Sequence, residues 1–361
     1  MIWMYNEIKW LLSGDDLMQR NMTIDIMRVM GLLLIILAHV NPPGILFQFR
    51  TFDVPMMIFV SGVSYYLSKA SNVSFATYSL SRFQRLVFPV WAFLIMFFFV
   101  LYVFKPLKFM DLLTVNNITS TFLLDGFGYV WIIKVFLIIS ILSPFYAYCI
   151  KNLNGYLTTL LALLVLLLSL CIFVFTSEDY PGDRYSFLND VILPTISYGA
   201  VFILGYKFLT YNKIQILFSF FVFLAAFITY VIYNYLAHEV VYGPQVYKYP
   251  PTLYYISYSV VMTIVIFYAI EKYLPAARLP SILFSMSSNT IWIYLWHIPV
   301  VEYFYRYNPS VNFIIKYVFA VSVATILALM QKKIISKFFS KYRIMKVIFT
   351  GWYVTHCKCI K

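Results

Sequence analysis

The sequence predicts an all-α polytopic membrane protein, a bundle of about ten transmembrane helices with both termini in the cytoplasm. Three observations lead there. Hydrophobic residues make up 62% of the 361 residues and charged residues only 11%, against roughly 25% charge in a soluble chain. So few charges cannot cover a globular surface. Phe (35) and Tyr (32) are abundant, as suits a chain whose solvent is mostly lipid. Lastly, apolar runs of helix-spanning length recur along the chain, and the cations between them are unevenly shared.

A helix needs roughly 20 mainly apolar residues to cross the hydrocarbon core. Ten such segments occur near 22–40, 53–69, 86–104, 130–150, 156–176, 190–210, 214–237, 252–270, 282–304 and 311–330. An even number puts both termini on one side. With that side cytoplasmic, the inner segments hold 18 of the 27 Lys and Arg residues, among them Arg20, Arg82, Arg85, Lys151 and Lys207, and the outer loops hold six, including Arg50, Lys248 and Arg306. The positive-inside rule favours that orientation. It also accounts for the net charge of +13 without nucleic acid as a partner.

Three regions follow. Residues 1–21 contain IWMYNEIKWLL and read as an interfacial segment; no signal-peptide pattern is present, and Met18 is a second candidate start. Residues 22–330 form the membrane domain. Residues 331–361 form a basic tail, where Ile334, Ile335, Phe338, Phe339, Tyr342 and Met345 recur at helical spacing among Lys333, Lys337 and Lys341. That pattern predicts an amphipathic helix on the inner leaflet over 332–349. The outer loops are short, the longest being 105–129, so any chemistry belongs to the bundle itself. Cys149 and Cys171 lie in apolar runs, and Cys357 and Cys359 in the tail. They form neither a disulfide framework nor a convincing metal site.

Charges inside spans are costly and tend to be paired or functional. The first span, TIDIMRVMGLLLIILAHV, carries Asp25, Arg28 and His39. At 100° per residue, Arg28 and His39 return to within 20° of one another, with Asp25 close by, so the three form one polar stripe. About 16 Å of helix separates Arg28 from His39, which places them at two ends of one cavity. Asp25 and Arg28 also suit a local ion pair. His39 has no such local partner.

These residues resemble the membrane-bound acyltransferase-3 family, which includes bacterial polysaccharide and lipopolysaccharide O-acetyltransferases. IDIMR followed by AHV matches the family's Arg-x10-His element through Arg28 and His39. FDVPMMIFVSGVSYYLS resembles its second helix, with the Ser-Gly pair at Ser61 and Gly62. SRFQRLVFP resembles its RxxR-Leu-x-x-Pro element through Arg82, Arg85, Leu86 and Pro89. GYVWIIKVFLI resembles the Trp-containing helix through Trp131, although Ile132 replaces the usual Phe and Lys134 follows. NTIWIYLWHIPV resembles the Tyr-Leu-x-His-x-Pro element through Tyr294, Leu295, His297 and Pro299. The resemblance runs from about 22 to 330, and no motif stands out between 150 and 280.

The resemblance implies transfer of an acyl group, most simply acetyl, from cytoplasmic acyl-CoA to a hydroxyl of an extracytoplasmic cell-envelope glycan. It implies a bacterial plasma or inner membrane location, with lipid and a lipid-linked or envelope glycan as partners and acetyl-CoA as donor. No metal is called for. Arg82 and Arg85, three apart, share a helical face suited to CoA phosphates, and Arg28 joins them as a donor-side residue. His39 is then the general base or the site of a transient acyl adduct. Asp53 has two readings: a carboxylate that orients His39, or a carboxylate at a helix start. Asp25, Ser61, Gly62, Trp131 and His297 are supporting residues, His297 bonding a neighbouring helix. The tyrosine-rich run 242–258 reads as an interfacial belt. A glycan flippase or polymerase is the alternative, although a polymerase should show a large arginine-bearing outer loop. Oligomeric state and acceptor sugar are left open.

Overall fold

A backbone N–H or C=O left without a partner in hydrocarbon costs several kcal/mol, so apolar runs of this length fold as helices. A computed structural model describes residues 21–68, 74–125, 129–177, 187–274 and 280–339, together with 341, 342, 345, 348 and 349. Among them there is no strand. The helices are α1 (Met22–Ala38), α2 (Gly44–Phe49), α3 (Asp53–Leu67), α4 (Phe75–Phe104), α5 (Val115–Phe122), α6 (Trp131–Ile150), α7 (Gly155–Ser177) and α8 (Leu193–Phe208). They continue with α9 (Lys213–His238), α10 (Leu253–Tyr273), α11 (Ser281–Ser288), α12 (Thr290–Tyr307) and α13 (Phe313–Phe338).

Each of the ten apolar segments read from the sequence overlaps at least one of these helices, and among the described residues seven helices are both long and apolar enough to cross a membrane. The remaining three, α1, α3 and α12, are short or polar. Helix α3, with 15 residues, spans only about 22 Å. Helix α12 carries Glu302 and Arg306. These three contribute most of the ionisable groups described below, so their brevity and polarity belong to the site.

Local signals set the helix ends. Asn21 accepts the Ile24 N–H at the start of α1, Ser74 accepts the Thr77 N–H at the start of α4, and Asn212 with Gln215 forms a reciprocal capping box at the start of α9. Helix α1 stops at His39, whose backbone N–H bonds back to the Ile36 carbonyl. Asn41 then adopts a positive φ of 52°, and Pro42 and Pro43 prevent continuation. The imidazole therefore sits on the last turn of α1, where the chain must leave the helix.

Helix α1 packs against α3, α10, α11, α12 and α13 and forms the hub. In α10 and in the helix that ends with α8, 67% of the apolar window is buried, whereas in α9 only 11% is. Helix α9 thus presents Ile214, Leu217, Phe221, Ile228 and Leu236 outward, on a face suited to lipid. Helices α3 and α8 approach each other closely. A Cβ on Gly62 would overlap backbone atoms of Phe202 and Tyr206, and a Cβ on Gly205 would overlap backbone atoms of Phe59. Small residues let membrane helices approach in this way.

Three expectations change in detail. The segment 282–304 is broken at Asn289, which separates α11 from α12. Helix α13 runs on to Phe338, so Ile334, Ile335 and Phe338 continue the last long helix and do not begin a separate one. Further along, Trp292 donates to the Ile348 carbonyl at 3.1 Å and stacks on Phe349 at 5.1 Å, so this part of the expected surface helix packs on the bundle. The interfacial reading of residues 1–20 and the cysteines at 357 and 359 lie outside the described residues.

Because the Gly62 and Gly205 contacts are with backbone, no side chain can swing away to relieve them. Gly62→Ala is expected to destabilise the bundle by about 1–3 kcal/mol. Gly44, beside which a Cβ would meet nothing within 4 Å, is the control, and Gly44→Ala should be near neutral. Thermal unfolding in detergent compares the two.

Candidate active site

Three voids follow α1 along its length. The first, of about 320 Å³, is lined by Arg28 from α1, Ser61 and Ser64 from α3, Arg82 and Arg85 from α4, Ser287 and Ser288 from the end of α11, and Asn289 at the break before α12. Arg28 Nη1 donates to Asp25 at 2.9 Å and to Ser287 Oγ at 3.1 Å, and Nη2 donates to Ser64 Oγ at 2.9 Å. Ser287 in turn donates to Asp25 at 2.7 Å. The local Asp25–Arg28 pair is thus one part of a network joining α1, α3 and α11. Arg82 lies over the Tyr78 ring at 4.8 Å. RxxR sits in the first turns of α4, so both guanidiniums reach the cavity from one helix face. Three arginines from two helices lining one cavity suit a multiply charged anion.

The second void, of about 130 Å³, is an apolar neck that shares Met57, Leu86, Phe136, Thr290 and Ile291 with the first. It shares Ile35, Ile132 and Tyr294 with the third, of about 120 Å³. His39 lines this third chamber with Arg50, Asp53, Trp131, Gln245, Lys248 and Tyr249. A continuous set of walls therefore connects the arginine cavity to His39. Ile132, where the resembled family carries Phe, belongs to the neck.

His39 Nδ1 lies 3.0 Å from His297 Nε2, with the rings stacked at 5.1 Å and 21°. The other nitrogen of His297, Nδ1, bonds the Tyr294 carbonyl. A carbonyl only accepts, so His297 Nδ1 carries the proton and its neutral Nε2 is an acceptor. His39 Nδ1–H must then donate to it, which leaves the lone pair on His39 Nε2. This assignment follows from the bonding network. It leaves His39 Nε2 as the basic nitrogen. Tyr129 braces the same imidazole edge-on at 4.7 Å, and its hydroxyl donates to Glu302 at 2.9 Å.

Asp53 does not bond to His39. Its Oδ1 accepts the Val54 N–H at 2.7 Å, as a carboxylate at a helix start, and its Oδ2 receives Arg50 Nη1 at 2.6 Å. Lys248 Nζ approaches Oδ1 at 3.5 Å. Asp53 is held by these two cations, and His297 occupies the place next to His39 that an orienting carboxylate would take. Gln245 joins the cluster by accepting from Arg50 Nη2 at 3.1 Å. Burial lowers the Lys248 ammonium below the ordinary lysine range, and the Asp53 carboxylate opposes that shift.

Two cationic ends, an apolar neck and a histidine with a defined free nitrogen suit a group-transfer site. Residues 22–330 match the family model described as an acyltransferase domain. The chain belongs to the acyltransferase-3 family. No curated protein and no solved structure matches the chain significantly. As an acyltransferase-3 protein it is a multi-pass, helical membrane protein whose chemistry is acyl transfer. Its matched span covers all three voids and both histidines, leaving out of the lining only Ile348.

Of the sequence-derived site residues, Arg28, Ser61, Arg82 and Arg85 meet at the first cavity and His39, Asp53 and Trp131 at the third. Asp25 anchors Arg28, and Gly62 serves helix packing. Sequence reasoning missed Ser64, Ser287, Arg50, Gln245 and Lys248. The polar run SMSSN, in an otherwise apolar segment, was a legible signal for Ser287. Arg50 stands three residues before Asp53, the same spacing that paired Asp25 with Arg28. Lys248 had no local signal, since the carboxylate it approaches comes from α3. The run around it is only partly an outward belt: Tyr242 and Tyr249 are exposed, whereas Tyr254 and Tyr255 are buried and Tyr258 donates to the Phe49 carbonyl at 2.7 Å.

The histidine pair yields a test. His297→Ala removes the acceptor for His39 Nδ1–H and frees the ring to rotate. Acyl transfer should fall by a sizeable part of the roughly 10²–10⁴-fold that a general base supplies, with donor affinity unchanged. His297→Gln, whose side-chain oxygen can accept from His39, should retain more activity than His297→Ala. Transfer rates at saturating donor in membranes of equal expression measure the difference.

Proposed function

We propose that this protein transfers an acyl group, most simply acetyl, from cytoplasmic acyl-CoA to a hydroxyl of an extracytoplasmic cell-envelope glycan in a bacterial plasma or inner membrane. One observation carries the reading: the three voids share walls and run from Arg28, Arg82 and Arg85 to His39. A CoA donor places its phosphates and its thioester at opposite ends of a long, thin arm. The arginine cavity suits the phosphates, the apolar neck suits the arm, and His39 lies about 16 Å of helix further on. The positive-inside count supports an orientation with the arginines at the cytoplasmic end and His39 near the outer face, where a sugar hydroxyl would arrive.

In this mechanism the arginines bind and orient the donor by charge-assisted bonds. Close walls in the neck exclude water from the thioester. His39 Nε2 accepts the proton of the acceptor hydroxyl as its oxygen attacks the acyl carbon. His297 holds the ring through Nδ1 and keeps the reactive tautomer, the task a carboxylate performs in a Ser-His-Asp triad.

The test supplies labelled acetyl-CoA to membranes containing the protein and follows label into membrane-linked glycan. Wild type should transfer label. His39→Ala should lose roughly a hundredfold to ten-thousandfold in rate while still binding acetyl-CoA. Replacing both Arg82 and Arg85 with Ala should weaken donor binding, at about 1.5–3 kcal/mol for each lost charge-assisted contact, and lysines should restore only part of it. Full transfer by the His39 variant would overturn the mechanism, and wild-type protein that moves no label would point to a transporter.

A further inference from the structure

The outer chamber carries more positive charge than its structure requires. Arg50, Asp53 and Lys248 are all buried, two cations against one carboxylate. Arg50 at 2.6 Å and the Val54 N–H at 2.7 Å already engage both oxygens of Asp53. Lys248 adds only a 3.5 Å approach to Oδ1 and sits 5.7 Å from the centres of the Trp131 and Tyr249 rings. An ammonium has three N–H donors, so most of its bonding capacity is unspent among the described residues. Arg50 Nε, also buried, has no hydrogen-bond partner there. A buried charge in surplus destabilises a fold, and such groups concentrate where function requires them.

Lys248 and His39 line the same chamber of about 120 Å³, the volume of about four waters at roughly 30 Å³ each. That is room for a reacting carbonyl and a hydroxyl. On the acyl-transfer reading above, attack of a neutral hydroxyl on a neutral thioester creates a new negative charge there. We infer that Lys248 is a catalytic residue that stabilises this oxyanion, its ammonium facing the acyl carbonyl oxygen while His39 takes the proton. The acceptor oxygen bonds to the acyl carbon, the C=O π pair moves onto oxygen beside Lys248, and the hydroxyl proton passes to His39 Nε2. Collapse re-forms C=O and breaks C–S. The leaving thiolate then takes the proton from His39, so protons and electrons balance. Arg50 is a positioning residue, holding Asp53 and Gln245 so that Lys248 keeps its place.

Lys248→Met separates this role from a structural one, because Asp53 keeps Arg50 and the surplus charge disappears. With labelled acetyl-CoA at saturation, the transfer rate should fall about 10²–10³-fold, as for loss of one oxyanion donor. Donor KM should be unchanged, since the lost interaction exists only in the transition state. The melting temperature in detergent should be unchanged or higher. Lys248→Arg should recover part of the rate. Transfer at the wild-type rate by Lys248→Met would overturn the inference, as would a loss of rate accompanied by a lower melting temperature and weaker acetyl-CoA binding. Wild-type protein inert toward acetyl-CoA would instead defeat the acyl-transfer reading on which the inference rests, and that result is read before any variant is made.

Discussion

The stripe of polar groups on α1 constrains the rest of the bundle, because each must find a partner on another helix in an interior with few alternatives. From the stripe, Arg28 donates to Ser64 of α3 and Ser287 of α11, and His39 to His297 of α12; from the opposite face of α1, Thr23 donates to Glu271 of α10. A polar group left unpaired inside the membrane is costly, so these bonds fix the rotation of α1 and draw four helices toward it. The stripe that looks like a liability for a membrane span therefore organises the packing. Helix α1 ends where Pro42 and Pro43 follow it, at the point where the imidazole must face inward.

The two ends of the stripe differ in how their charge is neutralised. Arg28 sits in a local network with Asp25 and two serine hydroxyls, and the further cations of that cavity, Arg82 and Arg85, come from another helix. At the other end Arg50 and Asp53 form a tight pair with both side chains buried. The neck between them presents mainly aliphatic and aromatic carbon. Such a partition keeps the low-dielectric segment free of charge and concentrates fixed charge at the ends. Electrostatic contributions grow in a water-poor setting, so the apolar neck strengthens both ends.

Most of the helices were legible in the sequence because span length is set by the thickness of the hydrocarbon core and by the need to satisfy every backbone group. The Asp25–Arg28–His39 stripe was legible for a related reason: helical geometry alone places those side chains on one face. What stayed hidden depends on tertiary contacts. His297 reads as an isolated histidine on an apolar helix until its partner from α1, 258 residues away, is in place. Lys248 reads as an outer-loop charge until the loop folds inward against Asp53. Asp53 itself looked like a partner for His39 because both sit near the outer face, whereas Arg50, one turn before it, captures the carboxylate first. Likewise the break at Asn289 interrupts a segment whose average apolarity supports an unbroken span. Composition over a window averages away the few hydroxyls that matter most.

Helix α3 shows how one short element can serve packing and chemistry together. Ser61 and Gly62 are adjacent, and 100° of helical rotation turns them toward different neighbours. Gly62 lies against the backbone of α8 so closely that even a methyl group would overlap it, while Ser61 and, three residues on, Ser64 line the arginine cavity. Ser64 holds Arg28 at 2.9 Å. Docking of α3 on α8 therefore sets the position of the hydroxyl that aims the guanidinium. At its other end the same helix begins with Asp53, so a shift at the glycine crossing would be felt at both the arginine cavity and the histidine chamber. The Ser-Gly pair combines these two demands on consecutive residues: the glycine fixes the helix in place, and its neighbour stands on the face that the fixed position presents to the cavity.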